Sequence, residues 1–231
     1  MSRIVRVGLV DSGAPPVQCV AIEATAAFVI KEGRPERLDA APDALGHGGA
    51  VLAIVRHLAP MARLCIAQVF RERYIATAAQ VAAAIDWLAE ADADIINLSL
   101  GLREDRAVLR EACRRALEAG IVLCAAAPAR GAAVFPAAYE GVWRMTGDAC
   151  CGRTELTCLM NGQADFGAHV RPLPGGNART SGGASMGCAH MSGHIAALLA
   201  RDDAPARDDP DARRAWLLRQ LRQQAILRVR N

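Results

Sequence analysis

Three residues of this chain, in the order Asp11, His47 and Ser185, could perform acyl-transfer chemistry. Asp11 follows an apolar run, His47 stands between two glycines, and Ser185 lies in a stretch of small residues before a helical pattern. A serine hydroxyl is a weak nucleophile until an imidazole accepts its proton, and a buried carboxylate holds that imidazole in the correct tautomer. The residue types therefore predict Ser185 as nucleophile, His47 as base and Asp11 as the orienting acid.

Short apolar runs that are typical of strands alternate with segments of helical spacing. Strands are predicted at 4–10, 64–70, 95–100 and 121–126, an extended segment at 17–30, and helices at 47–58, 77–91, 104–119, 185–200 and 211–229. This alternation predicts an α/β fold with a doubly wound, mostly parallel sheet and helices on both faces. In such folds the active site lies at the carboxyl ends of the strands, where Asp11 and Ser99 fall.

The chain is predicted to form one compact catalytic domain over residues 1–200, because about 200 residues suffice for a single core. A polar linker at 201–210 and an amphipathic helix at 211–231 follow. The apolar residues of that helix are Trp216, Leu217, Leu218, Leu221 and Ile226. We expect it to pack on the domain, with docking to a membrane surface or a partner as the alternative.

Composition argues against several classes of protein. The net charge of +3 is too small to favour nucleic-acid binding, and no apolar run reaches the length of a membrane span. The chain starts at the first predicted strand, so we expect neither a secretory signal nor a prodomain. The eight cysteines show no metal-ligand spacing, which favours reduced thiols, no metal or cofactor, and a cytoplasmic location without membrane contact. Nucleotide-binding glycine patterns are absent from the sequence.

The segment 183–193, Gly-Ala-Ser-Met-Gly-Cys-Ala-His-Met-Ser-Gly, resembles the subtilase signature Gly-Thr-Ser-Met-Ala-x-Pro-His-Val-Ala-Gly. The order Asp, His, Ser is also that of subtilisin. The resemblance implies a subtilisin-like fold and an oxyanion hole that uses the backbone N–H of Ser185. Residues 95–101 resemble the strand beside the family's substrate cleft. The substrate-binding residues implied are Ser99, Leu100, Gly101, Ala127 and Pro128.

One family residue is replaced, because Ala129 stands where subtilases have an asparagine that donates to the oxyanion. Loss of such a donor lowers kcat by about 10²–10³. Arg130 and Asn177 are candidate substitutes. Cys188, one helical turn beyond Ser185, could be a nucleophile but is better explained as a small buried hydrophobe, and His190 is assigned a packing role.

A slow subtilase suits one dedicated cut in a tightly held protein, because binding energy can compensate for modest chemistry. The small size, the missing secretion features and the departures from the subtilase pattern together resemble the subtilisin-like maturation proteases of quinohaemoprotein amine dehydrogenase biogenesis. This implies removal of a leader peptide from the small crosslinked subunit, and a stable complex with that substrate protein. The alternative is a non-catalytic, subtilase-like escort that binds a peptide, which Ala129 favours and the complete Asp/His/Ser set disfavours.

Overall fold

A computed structural model describes residues 3–16, 22–174 and 182–226, and within them nine strands form one sheet. The strands are β1 Arg6–Asp11, β2 Ile22–Lys31, β3 Arg34–Leu38, β4 Arg63–Gln68, β5 Ile95–Leu98, β6 Val122–Ala126, β7 Trp143–Gly147, β8 Leu156–Cys158 and β9 Phe166–Ala168. Their order is β3-β2-β4-β1-β5-β6-β7-β9-β8. Every neighbouring pair is parallel except β2 with β3 and β8 with β9. The predicted mostly parallel sheet is confirmed.

Helices cover both faces of this sheet, as predicted. They are α1 His47–Leu58, α2 Ala78–Glu90, α3 Ala107–Glu118, α4 Ala184–Leu199 and α5 Pro210–Gln224. One hydrophobic core joins the sheet to α1, α4 and α5, and a second core joins it to α2 and α3. Strand β1 lies in the middle between β4 and β5. The carboxyl end of β1 therefore opens at the centre of the sheet edge, which is where doubly wound folds carry their sites.

The structure confirms one further sequence-based prediction, adds three strands that were not predicted, and corrects the end of one helix. The predicted extended segment 17–30 is confirmed over residues 22–30, which belong to β2. This strand pairs parallel with β4 and antiparallel with β3, after a turn in which Gly33 adopts a φ of 76°; residues 17–21 lie outside the described part. Three short strands, β7 to β9, lie in the region after residue 127, where no strand was predicted. The helix predicted to reach 229 ends at Gln224, because the next residues turn away and Ile226 N–H donates to the Leu156 carbonyl of β8.

Helix α5 packs on the sheet through Trp216, Leu217 and Leu221, which are buried. The preceding segment also contacts the body of the protein, since the side chain of Arg207 donates to the carbonyl of Ala119 at 2.8 Å. The division into 1–200, 201–210 and 211–231 stays a prediction.

A buried guanidinium fixes α5 to the amino-terminal edge of the sheet. Arg213 is 1% exposed, and it donates to the Asp94 carboxylate at 3.2 Å and to the Gly120 carbonyl at 3.0 Å. Asp94 also accepts from the Arg3 side chain at 2.5 Å and from the Arg6 backbone N–H at 3.0 Å. Burial lowers the pKa of Arg213, while the charge of Asp94 acts in the opposite direction.

The Arg213→Met variant is expected to lower the free energy of unfolding by about 1–3 kcal/mol, because it leaves the Gly120 carbonyl unpaired and removes one partner of a buried carboxylate. Urea denaturation measures the change. The control is Arg219→Ala, an exposed position on the same helix, for which a change within about 0.5 kcal/mol is expected. Equal stability losses in the two variants would contradict a fixing role for Arg213.

Candidate active site

The end of β1 and the start of α1 bring Asp11 and His47 into contact. Asp11 is fully buried, and its Oδ1 lies 2.7 Å from His47 Nδ1. The backbone N–H of Ser12 donates to the same oxygen at 2.7 Å. A carboxylate is an acceptor, so Nδ1 carries a proton and Nε2 of the neutral ring is the free base. Asp11 therefore sets the tautomer that proton abstraction from a hydroxyl requires.

Glycine at position 48 allows this contact. A Cβ built on Gly48 would lie 2.2 Å from the carbonyl oxygen of Gly13, so the first turn of α1 rests directly on the chain that follows Asp11. Gly46, which precedes the helix, adopts a left-handed φ of 74°. Any side chain at 48 would separate the two segments, and the Asp11–His47 hydrogen bond would be lost.

The surroundings of His47 raise the pKa of its imidazole above the ordinary value. Burial has the largest single effect and lowers it, because the charged form is desolvated. The hydrogen bond that His47 donates to Asp11, the charge of Asp11 and the charge of Asp43 all raise the pKa, and together they outweigh burial. The site thus stabilises the imidazolium that forms when His47 takes a proton.

Ser185 is the second residue of α4 and lines the same cleft as His47. Its hydroxyl donates to the backbone carbonyl of Ser99 at 3.1 Å, and the hydroxyl of Ser99 donates back to the carbonyl of Ser185 at 3.3 Å. The described contacts of the Ser185 hydroxyl therefore go to the main chain and not to His47. Nucleophile–base hydrogen bonds commonly form only in the substrate complex. A change of the Ser185 side-chain rotamer would turn its hydroxyl from the Ser99 carbonyl towards His47.

The first turn of α4 supplies donors for a developing oxyanion. Backbone N–H groups there lack intrahelical acceptors and carry the positive end of the helix dipole. Ala129 is exposed, and it is absent from the residues that line the described cleft. Arg130 is also exposed, whereas Asn177 lies outside the described residues. The described lining of the cleft thus contains no side-chain amide that replaces the family asparagine.

The cleft has a volume of about 640 Å³ and a largely apolar wall. Of the substrate-binding residues predicted, Ser99, Leu100, Gly101 and Pro128 line it. Ala127 is not among the lining residues; it is buried, and its N–H donates to the carbonyl of Met145 at 2.7 Å. Other lining residues were not predicted from the sequence, among them Phe70, Tyr74, Ile75, Leu102, Arg103 and Val134. Several of them follow β4 or β5 directly, so the carboxyl-end rule could have found them.

Cys188 and His190 lie on α4 within the core. Burial raises the pKa of the Cys188 thiol well above its usual value, so this sulfur stays protonated and a poor nucleophile. Burial also lowers the pKa of His190 to about 4, and its Nε2 lies 3.4 Å from the carbonyl of Arg171. In the described residues, no group of three His, Cys, Asp or Glu side chains is placed to hold a metal ion, and no helix has the length and apolarity to cross a bilayer.

Comparisons with known proteins agree with this arrangement. A family model described as the Subtilase family (Peptidase_S8) matches residues 5–143, more than half of the chain. The thermostable alkaline protease of Halalkalibacterium halodurans is 29% identical over 209 residues, which cover 84% of this chain and 56% of that protease. The chain thus spans about half the length of this curated relative.

Two solved structures share the fold. The protease domain of PatA, solved as a mutant, superposes with a TM-score of 0.58 at 20% identity over 84% of this chain and 78% of that one. Fervidolysin from Fervidobacterium pennivorans, a keratinolytic enzyme related to subtilisin, gives 0.63 at 21% identity over 84% of this chain and 36% of that one. With the family match over residues 5–143, the chain belongs to the Subtilase family.

Proposed function

We propose that this chain is a subtilisin-type serine endopeptidase whose catalytic residues are Asp11, His47 and Ser185. The observation that carries the proposal is the 2.7 Å contact between the buried Asp11 carboxylate and His47 Nδ1, on the cleft that Ser185 also lines. A peptide-binding protein without catalysis has no need of an imidazole held in one tautomer by a buried charge.

The reaction follows from these positions. His47 Nε2 accepts the Ser185 proton while Oγ attacks the carbonyl carbon of the scissile bond. The backbone N–H of Ser185 stabilises the resulting oxyanion, and Asp11 stabilises the imidazolium. The C–N bond then breaks as His47 returns its proton to the leaving amine. Water, deprotonated by the same imidazole, hydrolyses the acyl-enzyme and frees Ser185.

The substrate we propose is a partner protein from which a leader peptide is removed, namely the small crosslinked subunit of quinohaemoprotein amine dehydrogenase. Support comes from Ala129, because an enzyme with a weakened oxyanion hole suits one tightly bound substrate. The largely apolar cleft would contribute binding energy to such a complex. A cytoplasmic location and a stable complex with the substrate protein belong to the same proposal.

A fluorophosphonate probe tests the catalytic proposal. We expect the purified protein to gain the mass of one phosphonyl group, because Ser185 Oγ attacks phosphorus and fluoride leaves. The Ser185→Ala variant should gain none. Cys188→Ala is the matched control on the same helix and should still react, since its thiol is buried and protonated. Failure of the folded wild-type protein to react would overturn the proposal and favour the escort alternative.

The leader-peptide proposal needs its own measurement. Intact mass after incubation with the leader-bearing small subunit is expected to show one cut, present with the wild-type protein and absent with Ser185→Ala. A subunit that lacks the leader is the control. Ser185-dependent labelling without this cut would leave the peptidase proposal standing and overturn the proposed substrate.

A further inference from the structure

Asp43, four residues before His47, binds the backbone on both sides of that histidine. Its Oδ1 accepts the N–H groups of Leu45 at 3.1 Å and Gly46 at 2.8 Å, and its Oδ2 accepts the N–H of Gly49 at 2.8 Å. Gly46, the residue at the N-cap of α1, has no side chain to cap the helix, and the first turn of α1 carries no acidic residue. Asp43 thus supplies the acceptors that a capping side chain normally provides.

Ser12 links this cap to the end of β1. Its hydroxyl donates to Asp43 Oδ1 at 2.8 Å and accepts the N–H of Gly48 at 2.8 Å. Its backbone N–H donates to Asp11. A continuous set of hydrogen bonds therefore runs from one carboxylate to the other through Ser12, and it passes the residues on either side of His47.

Among the residues that the structure describes, four groups surround the imidazole of His47 or share its cleft. Asp11 approaches from β1, Asp43 from the segment before α1, and Ser185 from α4. Tyr74, from the loop after β4, places its ring edge-on with the centroids 5.7 Å apart. The two carboxylates are the charged members, and the charge of Asp43 contributes to the raised pKa of His47. Burial has the largest effect on the pKa of Tyr74 and raises it, and the charges of Asp11 and Asp43 raise this pKa further.

We propose that Asp43 is a second carboxylate of this centre, a positioning residue that holds the turn carrying His47 on the strand end carrying Asp11 and adds negative charge behind the imidazolium. The inference rests on the proposed peptidase function. Asp43 acts through Ser12 and through the backbone around His47, and it touches neither the substrate nor the hydroxyl of Ser185.

The rate constant for fluorophosphonate labelling, measured against pH, tests both parts of this role. Only neutral His47 can accept the Ser185 proton, so the rate rises as pH rises through the pKa of His47. The Asp43→Asn variant removes a charge that favours the imidazolium, so the pKa falls and the acidic limb of the profile moves to lower pH. The loosened turn should also lower the plateau rate by about 10- to 100-fold.

Two further variants separate charge from position. Ser12→Ala keeps both carboxylates but removes the linking hydroxyl, so we expect a lower plateau with an unmoved acidic limb. Asp148→Asn is the matched control, because Asp148 is a buried carboxylate that accepts from the Cys150 N–H at 2.9 Å and from the Thr157 hydroxyl at 3.0 Å. Loss of the Asp148 charge should leave the acidic limb of the labelling-rate profile at the same pH.

The outcomes distinguish this proposal from the function on which it rests. A labelled wild-type protein with an unmoved acidic limb in Asp43→Asn, or with an unchanged plateau in Ser12→Ala, would overturn the role of Asp43 alone. If Asp43→Asn does not fold, the Ser12→Ala plateau decides the positioning role. Absence of labelling in the wild-type protein at every pH would overturn both proposals.

Discussion

The Asp11→Ala variant is expected to lose about 10⁴-fold in kcat on any peptide that the wild-type protein cleaves. The carboxylate does two things at this site: its Oδ1 fixes His47 Nδ1 at 2.7 Å, and its charge stabilises the imidazolium. Alanine removes both. Because Asp11 is fully buried, circular dichroism must show that the variant is folded before its rate is compared.

The Asp11→Asn variant separates the two contributions. Oδ1 accepts from both Ser12 and His47, whereas the buried Oδ2 has no hydrogen-bond partner in the described structure. An amide oxygen at the Oδ1 position can keep both bonds, with the NH₂ group on the unpartnered side. We therefore expect Asp11→Asn to retain more activity than Asp11→Ala. Equal losses in the two variants would show that the charge alone matters, and a loss below tenfold in both would contradict the catalytic role of Asp11.

The Ala129→Asn variant is expected to raise kcat by about 10²–10³-fold, the amount that one oxyanion donor contributes in acyl transfer. Residue 129 follows β6 and is exposed, so a larger side chain there meets no packed core. KM should change little, because the new hydrogen bond strengthens as the oxyanion forms.

Ala129→Asp is the matched control for this gain. Aspartate has nearly the same shape as asparagine, but an ionised carboxylate accepts hydrogen bonds and repels a developing negative charge. We expect it to show no gain in kcat. If Ala129→Asn also shows none, the protein obtains its second donor from another group, and the comparison of steady-state rates would then be repeated after substitution of Asn177.

Local sequence patterns predicted much of this structure. Hydrophobic periodicity identified β1, β4, β5, β6 and all five helices. A helix with one buried face shows apolar residues at helical spacing, and a fully buried strand shows a short continuous apolar run. β3 escaped detection, since Arg-Pro-Glu-Arg-Leu shows no alternation and pairs only at the sheet edge. The predicted end of α5 was also wrong, because the pairing of Ile226 with Thr157 depends on a strand distant in the sequence.

The site was predictable to the level of residue types and no further. Asp11, His47 and Ser185 stand in recognisable segments, whereas Asp43 has no local signal that separates it from a surface carboxylate. Its importance arises from backbone N–H groups and a hydroxyl that folding brings to it, and the hydroxyl of Ser12 lies 31 positions away along the chain. The partner of the Ser185 hydroxyl is likewise a property of the assembled fold.

In the free protein, the carbonyl of Ser99 competes with His47 for the hydroxyl proton of Ser185. Attack requires the hydroxyl to leave that carbonyl and turn to His47, so only the fraction of molecules in the second arrangement can react, and the apparent rate falls by that fraction. A bound peptide strand whose backbone N–H donates to the Ser99 carbonyl would occupy the acceptor and release the hydroxyl. Small esters and fluorophosphonates carry no such N–H, so they react at a lower rate, with the fraction of molecules in which the hydroxyl already faces His47. The protein would thus react faster with a peptide than with a small acyl compound, because only the peptide frees the Ser185 hydroxyl from the Ser99 carbonyl. This preference would add to the one that arises from the fit of the substrate in the cleft.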